Sequence, residues 1–167
     1  EVPKFPDNDT VWGMMDDEER KDNYKLMNGF LHFYPKWIKA AVLCGGGYNH
    51  RMGLYDAVMI KDNHLAYWGN RSISDAIKTA RKRFPNLKIQ VEVDTIDQLK
   101  DAVLAKPDWV LLDNMSINEL REAVSICQGV CKVEASGGIT LDEVANIAST
   151  CVDAISVGAL THSVFSI

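Results

Sequence analysis

The chain has 167 residues, of which 47% are hydrophobic and 25% charged, and its formal net charge is −5 with a pI near 5.3. This composition is typical of a single globular domain, and the negative balance argues against partners such as nucleic acid or anionic lipid. Residues 30–43 are apolar but are interrupted by His32, Pro35 and two lysines, so they predict neither a signal peptide nor a membrane span, and we expect a protein of the cytoplasm or an organelle matrix.

The N-terminal part of the chain differs from the remainder in its pattern. Residues 1–10 (EVPKFPDNDT) predict an extended polar arm. Aromatic residues at Gly29–Tyr34 allow a strand, and Pro35 suits the first turn of a short helix over Lys36–Leu43. We therefore expect an N-terminal segment, residues 1–43, followed by an α/β domain, residues 44–167.

From residue 57 onward, short apolar runs alternate with amphipathic segments. Each amphipathic segment opens with a capping residue and has an acidic or amide side chain three positions later, which is a helix-start signal. These pairs are Ser72 with Asp75, Thr95 with Gln98, Ser116 with Glu119, and Thr140 with Glu143. The apolar runs are too short for helices and predict strands at Ala57–Ile60, Lys88–Val93, Trp109–Leu112, Lys132–Ala135 and Ala154–Val157. This alternation predicts a parallel sheet that is covered on both faces and that forms a barrel if it closes.

Chemically distinctive residues follow the predicted strands. In chain order they are Lys61 to His64, Glu92, Asp113 with Asn114, Ser136 to Gly138, and Gly158. The carboxyl ends of parallel strands lie on one side of a sheet, so these groups should converge there. Two carboxylates on neighbouring strands can share Mg²⁺ with substrate oxygens, and glycine loops expose N–H groups to phosphate. The pattern predicts a site for a phosphorylated, metal-bound substrate.

Each of these features also has a simpler interpretation when it is taken singly. A lone Glu92 or Asp113 is more commonly a helix-start carboxylate or a salt-bridge partner, and SGG alone is more commonly a turn. Their coincidence at successive strand ends favours the site. The four cysteines lack the spacing of a zinc site and predict reduced thiols.

Five motifs, in order, carry a family resemblance: GGGYNHRMGLYDAVMIKDNH, VEVD, LLDNM, EASGGIT and ISVGALTHS. Together they resemble the C-terminal barrel of quinolinate phosphoribosyltransferase, also called carboxylating nicotinate-nucleotide pyrophosphorylase. The resemblance implies an α/β fold, an incomplete TIM-like (β/α) barrel of five to six parallel strands with an extended N-terminal arm. It also implies a reaction of NAD biosynthesis, in which quinolinate and phosphoribosyl pyrophosphate give nicotinate mononucleotide, pyrophosphate and CO₂.

The resemblance also assigns roles to individual residues. Three of them, Lys61, Glu92 and Asp113, are implied to be catalytic, and the two carboxylates are implied to hold Mg²⁺ that comes with phosphoribosyl pyrophosphate; no organic cofactor is expected. The substrate-binding residues are implied to be the cations that face the quinolinate carboxylates and the loops that hold the 5′-phosphate: His50, Arg51, Lys61, Ser136, Gly137, Gly138, Gly158 and His162.

The chain departs from the family pattern in two places. Family members carry a separate α/β domain before the barrel, and their first barrel strand ends in Thr-Arg-Lys-Thr, whereas residues 28–34 contain no Arg or Lys. The family also continues beyond the place where this sequence ends in SVFSI. One interpretation is an enzyme whose other parts were lost from the sequence or come from another chain. The alternative is a catalytically impaired barrel that serves as a structural or accessory subunit of a larger assembly.

Both interpretations predict contact with other protein chains, in a homo-oligomer or a hetero-complex, through Gly29–Tyr34 and the arm at residues 1–10. A third interpretation, a general phosphate-binding barrel, explains the glycine loops but not the combination of NHR with IKDNH.

Overall fold

The computed structural model describes residues 38–49, 57–68 and 72–162, and at positions 68, 161 and 162 it describes the backbone alone. The chain divides into two compact units, residues 1–49 and residues 50–167. The predicted sixth strand at Gly29–Tyr34 and the predicted arm lie outside the described residues.

In the first unit, residues 38–44 are helical, within and just beyond the helix expected over Lys36–Leu43. The helix ends at the glycines: the Gly45 N–H donates to the carbonyl of Ala41 at 3.0 Å, and Gly46 adopts a φ of +80°. Such a φ is one that glycine reaches without steric cost, so it suits a helix end.

The second unit contains a parallel sheet with strand order β1-β2-β3-β4-β5. The strands are β1 (Ala57–Ile60), β2 (Lys88–Val93), β3 (Trp109–Asp113), β4 (Lys132–Ser136) and β5 (Ala154–Ile155). The helices are α1 (Asp62–Trp68), α2 (Ile73–Arg83), α3 (Ile96–Val103), α4 (Ile117–Cys127), α5 (Leu141–Ala148) and α6 (Ala159–His162). The predicted α/β alternation and the five parallel strands are confirmed, as an open sheet that is consistent with an incomplete barrel.

Strand bounds follow the prediction with three small corrections. Strands β3 and β4 each run one residue further than expected, because Asp113 and Ser136 pair with each other. The last strand is shorter than the predicted Ala154–Val157, since its pairing with β4 stops at Ile155. One further hydrogen bond joins the two segments beyond the last paired residues, since the Ser156 N–H donates to the carbonyl of Ala135 at 2.9 Å.

The two faces of the sheet differ in chemistry. One face is apolar: side chains such as Val91, Val93 and Leu112 are almost fully buried in a core shared with the helices. We call the opposite side of the sheet the inner face. It also carries buried side chains, but two of them are polar, since Gln90 is only 7% exposed and Glu134 only 5%. Side chains alternate along a strand, so every second residue of β2 and β4 faces this polar side.

The helices begin where their capping residues predict. The Ser72 hydroxyl accepts a hydrogen bond from the Asp75 N–H at 3.1 Å. At α4, the Glu119 carboxylate accepts from both the N–H and the hydroxyl of Ser116, at 2.8 and 2.6 Å. The equivalent bonds at α3 and α5 join Gln98 to Thr95 and Glu143 to Thr140. All four start signals are therefore confirmed.

Two of these caps make stability depend on pH. Hydrogen bonds from Ser116 and Thr140 lower the pKa of Glu119 and of Glu143 below the ordinary value of 4.5. A lowered pKa in the folded state stabilises the fold above pH 4.5, and this contribution is lost as the pH falls through the folded-state value. We expect the double variant Glu119→Gln/Glu143→Gln to lose less stability on acidification than the wild type. Urea unfolding at a series of pH values measures this; parallel pH profiles would contradict it.

Helix α1 was not predicted from the sequence. Residues 61–64 were predicted only as the residues that follow the first strand. It begins with an unusual cap, because His64 Nδ1 accepts a hydrogen bond from the Lys61 N–H at 3.0 Å.

Within the described residues, no helix has both the length and the apolar character needed to cross a membrane. All four cysteines lie in the described part, and each is a free thiol.

Candidate functional site

The predicted site residues of the second unit lie at the carboxyl ends of the strands. The register pairs Ile60 with Val91 and Glu92 with Leu111, so Lys61 follows β1 beside Glu92. Asp113 lies two residues after Leu111 and therefore shares its inner face with Glu92. Ser136 is the direct partner of Asp113 in the next strand. Parallel pairing alone thus places these side chains on one face and at one edge of the sheet.

Lys61 and Glu92 form an ion pair at this edge. Lys61 Nζ donates to Glu92 Oε2 at 2.6 Å, with 41% of the lysine side chain and 13% of the glutamate side chain exposed. His64 fixes the backbone of Lys61 through the cap that begins α1. Short charge-assisted bonds of this kind are stronger than neutral ones, so each group holds the other in place. The Lys61 ammonium group is therefore a cation that already has a partner.

Asp113 is held by its neighbour Asn114. Asn114 Nδ2 donates to Asp113 Oδ2 at 2.7 Å, and the Asn114 N–H donates to the carbonyl of Ser136 at 3.0 Å. The backbone of Asn114 has a φ of +53°, in the left-handed region that asparagine tolerates better than most residues. The turn after β3 is thus tied both to its own carboxylate and to the end of β4.

The loop after β4 contains two glycines with positive φ, +101° at Gly137 and +57° at Gly138. A Cβ atom at Gly137 would lie less than 3.0 Å from the Asn114 backbone nitrogen and side-chain amide. Neither glycine N–H donates a hydrogen bond to another residue in the described part of the chain. Exposed N–H groups in a turn of this kind form a concave binding place for anions. Gly138 and Gly158, the residue just before α6, are exposed, whereas Gly137 is half-buried.

Two cavities adjoin these residues. One, of about 340 Å³, borders the β4 loop and includes Asn114, Ser136 and Gly137. The other, of about 300 Å³, lies at the edge strand β1 and includes Lys61 and His64. The first cavity therefore touches the predicted phosphate loop and the second touches the predicted dicarboxylate cation.

The donor set suits a magnesium ion that arrives with a ligand. Within residues 38–49, 57–68 and 72–162, no cluster of three or more His, Cys, Asp or Glu side chains could hold a metal ion. Glu92 and Asp113 do share one face, and Mg²⁺ commonly takes one or two protein carboxylates together with substrate phosphate oxygens and waters. Glu92 and Asp113 could therefore supply at most part of a Mg²⁺ coordination shell, and the predicted Mg²⁺ stays a prediction.

A buried polar network on the inner face was not singled out by the sequence analysis. Gln90 Nε2 donates to Glu134 Oε2 at 2.6 Å, and the Ser156 hydroxyl hydrogen-bonds to Glu134 Oε1. The network joins β2, β4 and the end of β5 beneath the strand ends. Its signal was present in the sequence as alternation, because IQVEV and VEAS place a polar residue at every second position.

The structure thus groups part of the predicted site. Lys61 forms an ion pair with Glu92. Asn114 contacts three other residues of the predicted site or its loop: Asp113, Ser136 and Gly137. His50 and Arg51 lie outside the described residues, and the side chain of His162, the last residue of α6, is also outside them. The roles assigned to all these residues stay predictions.

Fold and strand-end chemistry together define a class: an α/β domain of the barrel type whose carboxyl-terminal edge carries a lysine, carboxylates and a loop with two glycines of positive φ. The family profile described as "Quinolinate phosphoribosyl transferase, C-terminal domain" matches residues 35–167. The chain belongs to this family, which confirms the resemblance drawn from the motifs.

Curated relatives agree with this membership. The chain is 44% identical over 156 residues to the probable nicotinate-nucleotide pyrophosphorylase [carboxylating] of Bacillus subtilis, covering 92% of this chain and 52% of the relative. It is 47% identical over 130 residues to the nicotinate-nucleotide pyrophosphorylase [carboxylating] of Mycobacterium leprae, covering 75% of this chain and 45% of the relative. The chain thus spans about half the length of the curated relatives it matches.

Solved structures share the fold. The nicotinate-nucleotide pyrophosphorylase from Francisella tularensis matches with a TM-score of 0.68 and 46% identity, over 72% of this chain and 42% of that one. NadC from Streptococcus pyogenes matches with a TM-score of 0.72 and 38% identity, over 77% of this chain and 45% of that one.

Proposed function

We propose that this chain provides the barrel part of a quinolinate phosphoribosyltransferase, an enzyme of NAD biosynthesis. The reaction converts quinolinate and phosphoribosyl pyrophosphate into nicotinate mononucleotide, pyrophosphate and CO₂. The observation that carries the proposal is the placement of Lys61, Glu92 and Asp113 on one edge of the sheet, in a chain whose family match runs through all three.

Quinolinate is a pyridine with two adjacent carboxylates, so its site needs more than one cation. Arg51 can bind a carboxylate with two parallel N–H bonds, and Lys61 acts as a point charge beside it, with His50 as a further donor. Lys61 is paired with Glu92 at 2.6 Å before any ligand binds. Substrate binding in this proposal exchanges that partner, in part or in full, for a quinolinate carboxylate.

Ribosylation of the pyridine nitrogen develops positive charge at the ribose carbon. Glu92 and Asp113 lie on the face where that carbon would sit, and a fixed carboxylate there stabilises the developing charge without reorganising. Mg²⁺ bound to the pyrophosphate would be held by the same two carboxylates and would neutralise charge on the leaving group. Once the ring nitrogen is ribosylated, the C–CO₂ bond breaks, the cationic ring stabilises the electron pair left on the ring carbon, and that carbon takes up a proton from water to give nicotinate mononucleotide.

In this proposal, the glycine loops bind the 5′-phosphate of phosphoribosyl pyrophosphate. The N–H groups of Gly137 and Gly138 donate to no partner among the described residues, and turns of successive glycines with exposed N–H groups are a common kind of anion site. Ser136, Gly158 and His162 complete this part of the site in the proposal.

The proposed partners are other protein chains, of the same or a different kind, at Gly29–Tyr34 and the arm. The proposed location is the cytoplasm or an organelle matrix; relatives 39% identical are named as chloroplastic in rice and mitochondrial in tobacco.

Phthalate tests the dicarboxylate clamp, because it presents two adjacent carboxylates and cannot react. We expect phthalate to raise the melting temperature of the wild type and to leave that of Arg51→Ala and of Lys61→Ala unchanged. Lys78→Ala is the matched control, since this lysine on α2 is 62% exposed and its nearest carboxylate, Asp75, lies 3.9 Å away. Equal stabilisation of all four proteins would remove Arg51 and Lys61 from the substrate site.

Turnover by the chain alone is a separate matter from binding. Both substrates are strongly anionic, and holding them together requires enough cations to offset their repulsion. Residues 28–34 contain no Arg or Lys, so we expect the isolated chain to release little or no ¹⁴CO₂ from labelled quinolinate with Mg²⁺ and phosphoribosyl pyrophosphate. Light scattering on the same sample gives its mass. Robust release from a monomer would contradict this expectation and the accessory-subunit alternative together; nothing in the comparisons favours that alternative over the enzyme.

A further inference from the structure

We propose that Asn114 is a positioning residue that ties the Asp113 carboxylate to the glycine loop after β4, so that the two ends of one phosphorylated ligand are held at a fixed separation. This inference rests on the proposed function, in which Asp113 and the glycine loop bind the same phosphoribosyl pyrophosphate. Asn114 itself is assigned no contact with the reacting atoms.

Three contacts converge on Asn114. Its amide group donates to Asp113 Oδ2 at 2.7 Å, which fixes the orientation of that carboxylate. Its backbone N–H donates to the Ser136 carbonyl at 3.0 Å, one residue before the glycine loop. Its side chain lies so close to Gly137 that a Cβ there would overlap it. One residue therefore contacts both predicted parts of the ligand site.

The backbone of Asn114 is also specialised. Three non-glycine residues in the described part of the chain have positive φ: Lys106 at 49°, Asn114 at 53° and Cys151 at 66°. Lys106 and Cys151 lie in turns that follow α3 and α5, where a left-handed residue commonly ends a helix. Asn114 instead directly follows a strand, at the edge where the site residues lie. This left-handed turn directs the amide group back toward Asp113.

A rigid connection of this kind has a functional consequence. Small misplacements of groups that bind a reacting substrate cost large factors in rate and affinity. If Asp113 were oriented by solvent alone, its carboxylate would sample several rotamers, and binding would have to order it at an entropic cost. Because Asn114 already orients the Asp113 carboxylate in the folded protein, ligand binding does not carry this entropic cost.

Calorimetric titration of magnesium phosphoribosyl pyrophosphate into the chain tests the inference. Asn114→Gly keeps the backbone conformation and removes the amide group, and we expect it to weaken binding about tenfold or more. Asn114→Asp keeps the shape and the tolerance for positive φ but replaces the donor with a carboxylate beside Asp113, so it should weaken binding at least as much. Lys106→Gly is the matched control for the backbone, and it should bind as the wild type does.

A double-mutant cycle separates positioning from a general loss of structure. If Asn114 acts through Asp113, then Asp113→Asn/Asn114→Gly should bind no more weakly than Asp113→Asn alone, while stabilities measured by urea unfolding need not show this coupling. Wild-type affinity in both Asn114 variants, together with weak binding by Asp113→Asn, would overturn the positioning role and leave the proposed function intact. Wild-type affinity in Asp113→Asn would overturn the proposed function at this residue and the inference with it.

Discussion

Replacing Gly137 with alanine is expected to destabilise the folded chain by roughly 2–5 kcal/mol and to abolish anion binding at the β4 loop. Two costs add. A non-glycine residue at a φ of +101° is strained, and its Cβ would lie under 3.0 Å from the backbone nitrogen of Asn114. The Asn114 backbone is fixed by its bond to Ser136 and cannot yield freely. Chemical unfolding gives the stability, and titration with inorganic phosphate gives the binding.

The neighbouring glycine provides the control. Gly138 also has a positive φ, but a Cβ there would meet nothing within 4 Å. Gly138→Ala should therefore cost only the left-handed strain of one residue, about 1–2 kcal/mol. Equal losses in the two variants would mean that the close approach to Asn114 does not constrain the loop.

Truncation of Glu134 to alanine is the second large effect we expect, a loss of roughly 2–5 kcal/mol. Glu134 is 5% exposed, and its carboxylate oxygens accept from Gln90 and Ser156 on either side. Removing it leaves the buried Gln90 amide without this acceptor and leaves a cavity beneath the strand ends. Unfolding in urea measures the loss.

Glu134→Gln is the matched variant for this network. A glutamine fits the same space, can accept from Gln90 with its carbonyl oxygen, and can donate its amide hydrogen to the Ser156 hydroxyl. We expect it to retain most of the stability. If Glu134→Ala were as stable as Glu134→Gln, the hydrogen bonds of this network would make no measurable contribution to the fold.

The fold was predictable from the sequence to the extent that local signals decided it. Strands β1 and β2 have the predicted bounds, because turn residues limit each apolar run sharply. The ends of β3 and β4 could not be predicted, since whether Asp113 and Ser136 extend the ladder depends on each other's position. Helix α1 was not predicted because Lys61 is an unusual N-cap residue and because His64, at the third helical position, takes the acceptor role that Glu or Gln usually has there.

The site was predictable as a set of residue types at strand ends, but not as a set of contacts. Parallel order placed Lys61 beside Glu92, yet nothing in the sequence indicated that the two would be paired at 2.6 Å. Asn114 was visible in LLDN, but its role depends on a left-handed φ and on the approach of Gly137, which are properties of the folded chain. Gln90 and Glu134 could have been found, because polar residues alternating with buried ones mark a covered polar face.

We propose that one edge of the sheet binds both substrates of a quinolinate phosphoribosyltransferase. The most direct measurement is the shift of assigned backbone amide signals in NMR spectra as phthalate and then magnesium phosphoribosyl pyrophosphate are added. We expect phthalate to shift signals around Arg51 and Lys61, and the second ligand to shift those of Asp113, Gly137, Gly138 and Gly158. Shifts confined to the opposite ends of the strands, or no shifts with either ligand in excess, would contradict it.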